Sequence, residues 1–177
     1  MRIEWNDYYK DKLVEMAKEI ALVARTAPKG RGRDQLHILI LTEKEKETVA
    51  GKMKEIGESE EIPFFRRDAE SLRSAPVLLL IGTETSPREI PFCGYCGLAD
   101  CLENREQGTI PCAFSSGDLG IALGSAVSLA ARMHIDNRIM FSAGKAAIEM
   151  GLFPPGVRIA HGIPLSATGK SPFFDRK

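Results

Sequence analysis

The chain has 177 residues, 44% hydrophobic and 27% charged, and its 24 Lys and Arg balance 24 Asp and Glu to zero formal net charge. That composition fits one globular domain over residues 1–177, with enough chain to bury a single core. With no net field to attract nucleic acid or an anionic membrane, neither is expected as a partner.

Met1 to Lys12 is polar and lacks the apolar stretch of a targeting segment, so a cytoplasmic location is expected. Asn6 or Asp7 is placed to cap a helix running to about Ala27. Its Leu13, Ala17, Ile20 and Ala24 form one apolar stripe, widened by Val14 and Ala21. Pro28 and the Lys29-Gly30-Arg31-Gly32-Arg33 run end it. Leu36 to Leu41 reads as a buried strand, after which Thr42 caps a second amphipathic helix ending near Gly57. Glu58 to Ser74 is polar, with a short helix after Asp68, and Val77 to Ile81 is a second strand closed by Gly82.

A cysteine-rich loop spans Pro91 to Cys112. Ser115, Ser116 or Asp118 then caps a helix to about Met133 that is apolar almost all round, which predicts burial. Its most apolar stretch, Leu119 to Ala131, is shorter than the roughly 20 residues that cross a bilayer. Arg138 to Phe141 as a strand, Lys145 to Met150 as a helix and Val157 to Ile163 as a strand complete the pattern. Alternating helices and strands give an α/β class, or α+β where the sheet is mixed.

All four cysteines, Cys93, Cys96, Cys101 and Cys112, lie in that one loop with the spacing C-x2-C-x4-C-x10-C. In a chain expected to be cytoplasmic, such a group points to metal or redox chemistry before disulfides. An iron–sulfur cluster needs four thiolates converging on one cage, with backbone N–H groups aimed at the sulfurs. The four sulfurs are therefore expected to meet in one pocket. Gly94 and Gly97 follow the first two cysteines, where chain reversal favours glycine. Cys112 precedes the buried helix, whose positive dipole end favours a negative centre. Zinc is the alternative, although structural zinc sites commonly use two C-x2-C knuckles and only one is present. A Cys-x-x-Cys thiol pair is a third reading, and it leaves Cys101 and Cys112 unexplained.

Arg25, Lys29, Arg31 and Arg33 alternate with Gly30 and Gly32, a composition able to cradle a phosphate through guanidinium forks and backbone N–H groups. The plainer reading is a solvated basic helix end. Lys170 is a further candidate for the same anion. His37, His134 and His161 show no ligand spacing, and Gly120 and Gly124 permit a close approach on one helix face.

The segment Cys93-Gly94-Tyr95-Cys96-Gly97-Leu98-Ala99-Asp100-Cys101 resembles the four-cysteine domain that binds a [4Fe–4S] cluster in corrinoid iron–sulfur proteins. Four further stretches resemble flavin-dependent nitroreductases: IALVARTAPKGRGRDQLHILIL at Ile20 to Leu41, SAPVLLLIG at Ser74 to Gly82, DLGIALGSAVSLAARMHIDNRIM at Asp118 to Met140, and LFPPGVRIAHGIPLSATGKSP at Leu152 to Pro172. Taken whole, the chain resembles the uncharacterised ferredoxin-domain-containing (DUF2148-like) family, short nitroreductase-like proteins with a cysteine-rich insertion. The resemblance implies a nitroreductase-like α+β fold with a mixed sheet flanked by helices, a homodimer, a [4Fe–4S] cluster and FMN.

Nothing near Met1 to Lys12 matches the arginine motif that grips flavin phosphate in nitroreductases. The resemblance then implies one of two outcomes: FMN with its phosphate at the Thr26 to Arg33 loop, through Arg25, Lys29, Gly30 and Arg31 with Lys170 assisting, or a chain that has lost flavin binding altogether. The function implied is electron transfer or flavin-dependent reduction with an unknown redox partner. The alternative is a zinc-stabilised binding or assembly module.

Overall fold

The computed structural model describes residues 1–174. The first helix, α1 (Trp5–Thr26), starts slightly before the expected cap, because the Glu4 N–H already donates to Asp7 Oδ2 at 3.1 Å. Leu13, Ala17, Ile20 and Ala24 are its buried stripe, as the periodicity predicts. A single 3-10 turn at Gly30–Gly32 leads into β1 (Leu36–Thr42). Then come α2 (Glu43–Ser59), α3 (Pro63–Arg73) and β2 (Val77–Glu84).

The second of these helices begins well before Asp68. Pro63 sits in its first turn, where a missing N–H costs nothing, and Phe65, Ala69 and Leu72 form a buried face that a polar-looking segment concealed.

The sheet is completed by β3 (Asp136–Asn137) and β4 (Val157–Ser166), in the order β1-β2-β4-β3. All three pairings are antiparallel, so the sheet is not the mixed one expected, while the α+β class stands. The α2–α3 hairpin returns the chain to the end of the sheet where β1 stops, and Thr42 lies opposite Val77.

Strand β2 is central and buried almost throughout, because both faces of the sheet are covered. Val77, Leu79 and Ile81 face one core with α1 and the later helix α5 (Ala113–Arg132). Leu78 and Leu80 face a second core with α2, α3 and α6 (Phe141–Glu149).

The strand expected over Arg138 to Phe141 shrinks to β3 and one bridge between Met140 and Gly162, and α6 starts at Phe141 instead of Lys145. Small buried residues, Ser142, Ala143, Gly144, Ala146 and Ala147, let that helix lie directly on β4.

Helix α5 also starts early, with Cys112 at its cap position, and reaches 20 residues. Among the described residues it is the one helix long and apolar enough, by length and composition, to cross a membrane. It is buried on one side only. Leu119, Ala122, Leu123, Ala126 and Ala130 pack into the core beside α1, whereas Gly117, Gly120, Ile121, Gly124 and Ser128 are exposed.

Candidate functional site

The chain leaves the sheet after β2 and returns to it through α5, and this excursion carries all four cysteines. Its two ends are pinned together: Cys112 N donates to Thr85 O at 3.0 Å, and Ser115 Oγ to Ser86 O at 3.0 Å. Residues 85–100 hold no helix, and Glu89, Phe92, Gly94 and Gly97 have positive φ. The Gly94 to Gly97 turn is closed by a 3.0 Å backbone hydrogen bond.

A short helix, α4 (Cys101–Gln107), follows, with Asp100 Oδ1 accepting from Leu102 N and Glu103 N at 2.9 Å each. This helix was not foreseen, although Asp100 followed by Glu103 is a capping signature. Arg158 on β4 donates to Gly108 O at 3.1 Å and Thr109 O at 2.8 Å, fixing the exit of α4.

All four cysteines are free thiols; Cys112 is buried and the other three are half-buried. Cys112 is the best prepared as a thiolate. Burial pushes its pKa up, but the backbone N–H groups of Ser115, Arg88 and Phe114, with the Ser115 hydroxyl, outweigh burial and hold it below the ordinary thiol value.

The expected convergence of the sulfurs is not present as the side chains stand. Among the described residues no group of three or more His, Cys, Asp or Glu is arranged to hold a metal ion. Cys93 and Cys96 ride on turns with few hydrogen bonds of their own, so nothing in the loop's own backbone forces their side chains together. The donor set nonetheless fits a soft metal centre: four reduced thiols, left-handed glycines after two of them, and the fourth at the cap position of a long helix.

The basic loop differs from the open phosphate cradle expected. Arg25 donates to Asp34 Oδ2 and to Leu36 O, each at 2.8 Å. Lys29 folds back onto Arg25 O at 2.5 Å and Ala27 O at 2.8 Å. Arg31, at φ 56°, donates to Glu89 O at 2.6 Å, and Arg33 pairs with Glu89 Oε2 at 2.5 Å. Arg105 of α4 takes the other Glu89 oxygen.

Gly30 N donates to Asp118 Oδ1 at 3.0 Å, and Asp118 Oδ2 accepts from Arg88 Nε at 3.0 Å. The loop's cations are thus committed to internal partners, and Lys170 lines a separate hollow with Arg67, Glu70 and Ser74. Sequence reasoning did not find Arg88 or Glu89, and it read Asp118 only as a cap.

What the loop does border is a cavity of about 440 Å³ lined by Lys29, Gly30, Tyr95, Phe114, Gly117 and Ile121. Tyr95, from the cysteine loop, stacks on Phe114 of α5 with centroids 5.5 Å apart and planes 7° apart. The cysteine loop, the basic loop and the start of α5 therefore form one continuous site.

An uncharacterised protein of Archaeoglobus fulgidus is 43% identical over 176 residues, which covers 95% of this chain and 94% of that protein. The family described as "uncharacterized protein containing a ferredoxin domain (DUF2148)" matches residues 108–176. The chain belongs to the DUF2148 family. The stretch matched to DUF2148 includes Cys112, α5, α6 and β4, and the other three cysteines lie ahead of it.

Two solved structures show the fold of this DUF2148 chain to be nitroreductase-like. An oxidoreductase containing FMN superposes with a TM-score of 0.60 at 14% identity, over 88% of this chain and 67% of that one. A nitroreductase with bound FMN from Desulfitobacterium hafniense gives 0.60 at 16% identity, over 88% and 78%.

Proposed function

We propose that this DUF2148 protein is a cytoplasmic iron–sulfur redox protein that carries a [4Fe–4S] cluster on Cys93, Cys96, Cys101 and Cys112 and binds FMN beside it. The observation that carries this reading is Cys112. Its thiol sits at the cap position of a long helix, and although burial pushes its pKa up, the neighbouring backbone N–H groups of Ser115, Arg88 and Phe114 hold it below the ordinary thiol value, which suits an anionic metal thiolate.

A cluster passes single electrons, and a flavin exchanges one or two. The chain would supply the thiolates, the N–H groups that offset negative charge, and a cavity walled by the Tyr95–Phe114 stack. Asp118, by holding Gly30 N, fixes the basic loop against that cavity. A phosphate seated on the Thr26 to Arg33 loop would require its cations to exchange internal partners, so the cavity is the better-supported contact for flavin.

Anaerobic purification followed by iron, sulfide and zinc analysis tests the reading. About four irons and four sulfides per chain are expected, with a yellow chromophore released on denaturation. Zinc without sulfide would replace the proposal with the zinc-stabilised module, and a cluster without flavin would leave an electron carrier.

The same reading includes a homodimer formed through α5. A Cβ built at Gly117, Gly120 or Gly124 meets nothing within 4 Å, so the exposed side of the helix is a flat apolar strip around Ile121, open to a second copy. Ile121→Glu places a charge at the centre of that strip and is expected to convert a dimer to a monomer in sedimentation experiments. A wild-type monomer at micromolar concentration would overturn the dimer.

A further inference from the structure

Three arginines converge on one residue of the cysteine excursion, Glu89. Arg31 and Arg33 come from the turn after α1, 58 and 56 positions away, and Arg105 comes from α4. Arg33 and Arg105 each take one carboxylate oxygen, and Arg31 is left with the Glu89 backbone carbonyl at 2.6 Å. Among the described residues, no other side chain accepts a hydrogen bond from any of the three.

Three positive charges thus share one negative charge. Arg33 first, and then Arg105, hold the Glu89 carboxyl below the ordinary carboxylate range, so it is an oxyanion at neutral pH. The match is incomplete in oxygens as well as in charge. A carboxylate has two oxygens for three guanidinium forks, whereas a phosphoryl group has three and a charge of about −1.5 to −2.

The contact is also poised to exchange. The Arg33, Glu89 and Arg105 side chains are 40%, 40% and 56% exposed, so a solute reaches them and the ion pairs hold weakly. Glu89 and Arg31 both sit at φ 56°, a left-handed conformation uncommon for either residue type and one that collects at ligand clamps. Lys29 and Gly30, which line the cavity beside the Tyr95–Phe114 stack, directly precede Arg31 in the chain.

We infer that Arg31, Arg33 and Arg105 form a binding site for a phosphomonoester dianion, and that Glu89 is its internal stand-in, displaced when the ligand binds. The guest is the phosphate of a flavin or of another phosphorylated ligand, and the chemistry that recognises it is the same. The site is built without the cysteines and needs no metal.

The test is calorimetric titration of the full-length protein with inorganic phosphate, FMN and riboflavin. Glu89→Gln keeps the shape of the side chain but removes the competing charge, so phosphate should bind at least about tenfold tighter than to wild type. Glu106→Gln removes an equal charge from an exposed position of α4 beside Arg105 and should change binding less than about twofold. Arg33→Gln/Arg105→Gln should abolish binding in both the wild-type and the Glu89→Gln background. An equal gain for FMN with riboflavin unchanged assigns the site to the flavin's phosphate, and a gain confined to inorganic phosphate assigns it to a different phosphomonoester.

Should Glu89→Gln fail to fold, the wild type decides: its affinity for phosphate must fall at least about tenfold in Arg31→Gln and in Arg105→Gln. Binding indifferent to these arginines, or no tighter in Glu89→Gln than in Glu106→Gln, would overturn the site and leave Glu89 a structural clamp. That failure would not touch the iron and sulfide analysis on which the cluster reading depends.

Discussion

Gly144→Ala is expected to destabilise the protein by about 3 kcal/mol or more, although it replaces glycine by alanine inside a helix. Intrinsic propensity favours alanine there by about 1 kcal/mol. Sterics oppose it: a Cβ at Gly144 would stand 1.9 Å from Ala160 O and 2.2 Å from Ala160 C, both backbone atoms of β4. Neither can turn aside as a side chain would, so α6 must lift off the strand and open the core formed with Leu78, Leu80 and Ala143.

Gly51→Ala is the control. Gly51 is an exposed interior position of α2 with nothing within 4 Å of a Cβ, so the same substitution should stabilise by about 0.5–1 kcal/mol. Thermal melts should move in opposite directions, with Gly144→Ala lower by roughly 6–12 °C for a chain of this size. A Gly144→Ala protein as stable as wild type would mean that α6 does not pack on β4 at this distance.

That contrast marks what the sequence made legible. The stripe of Leu13, Ala17, Ile20 and Ala24 announces a helix face, and all four are buried. The unbroken apolar run of β2 announces a strand covered on both sides, and both cores meet it. The cysteine spacing confined the candidate centre to one loop.

Long-range pairings were not legible. Arg88 and Asp118 are 30 positions apart, and Arg31 reaches Glu89 across 58, so no local pattern signals that these charges meet. The basic loop illustrates the cost. In sequence its cations look available for a phosphate, whereas the fold brings the Asp34 and Glu89 carboxylates and four backbone carbonyls to them. Boundaries failed where tertiary contact overrides propensity, as at Phe141, where glycine and serine begin a helix because only small residues fit against β4.

If the proposed cluster is held by the four cysteines, Cys112→Ser should lose it while the metal-free fold keeps or gains stability. The two effects separate because Cys112 does two jobs. As a proposed ligand it presents a soft sulfur whose pKa burial raises, an effect that neighbouring backbone N–H groups and the Ser115 hydroxyl outweigh, so that it lies below the ordinary thiol value. A serine hydroxyl is harder and remains protonated, so affinity for the centre should fall at least about 100-fold. As the cap residue of α5, however, the position suits serine, one of the best N-cap residues, whose oxygen can accept from the first-turn N–H groups to which Cys112 makes no cap bond.

The half-buried Cys93→Ser, Cys96→Ser and Cys101→Ser should each weaken the centre too, with little effect on the metal-free melt. Iron and sulfide content of anaerobic preparations, read beside melts of the metal-free proteins, checks both halves. A Cys112→Ser protein that retains a full four-iron complement would remove Cys112 from the ligand set, and the chain has no fifth cysteine to take its place.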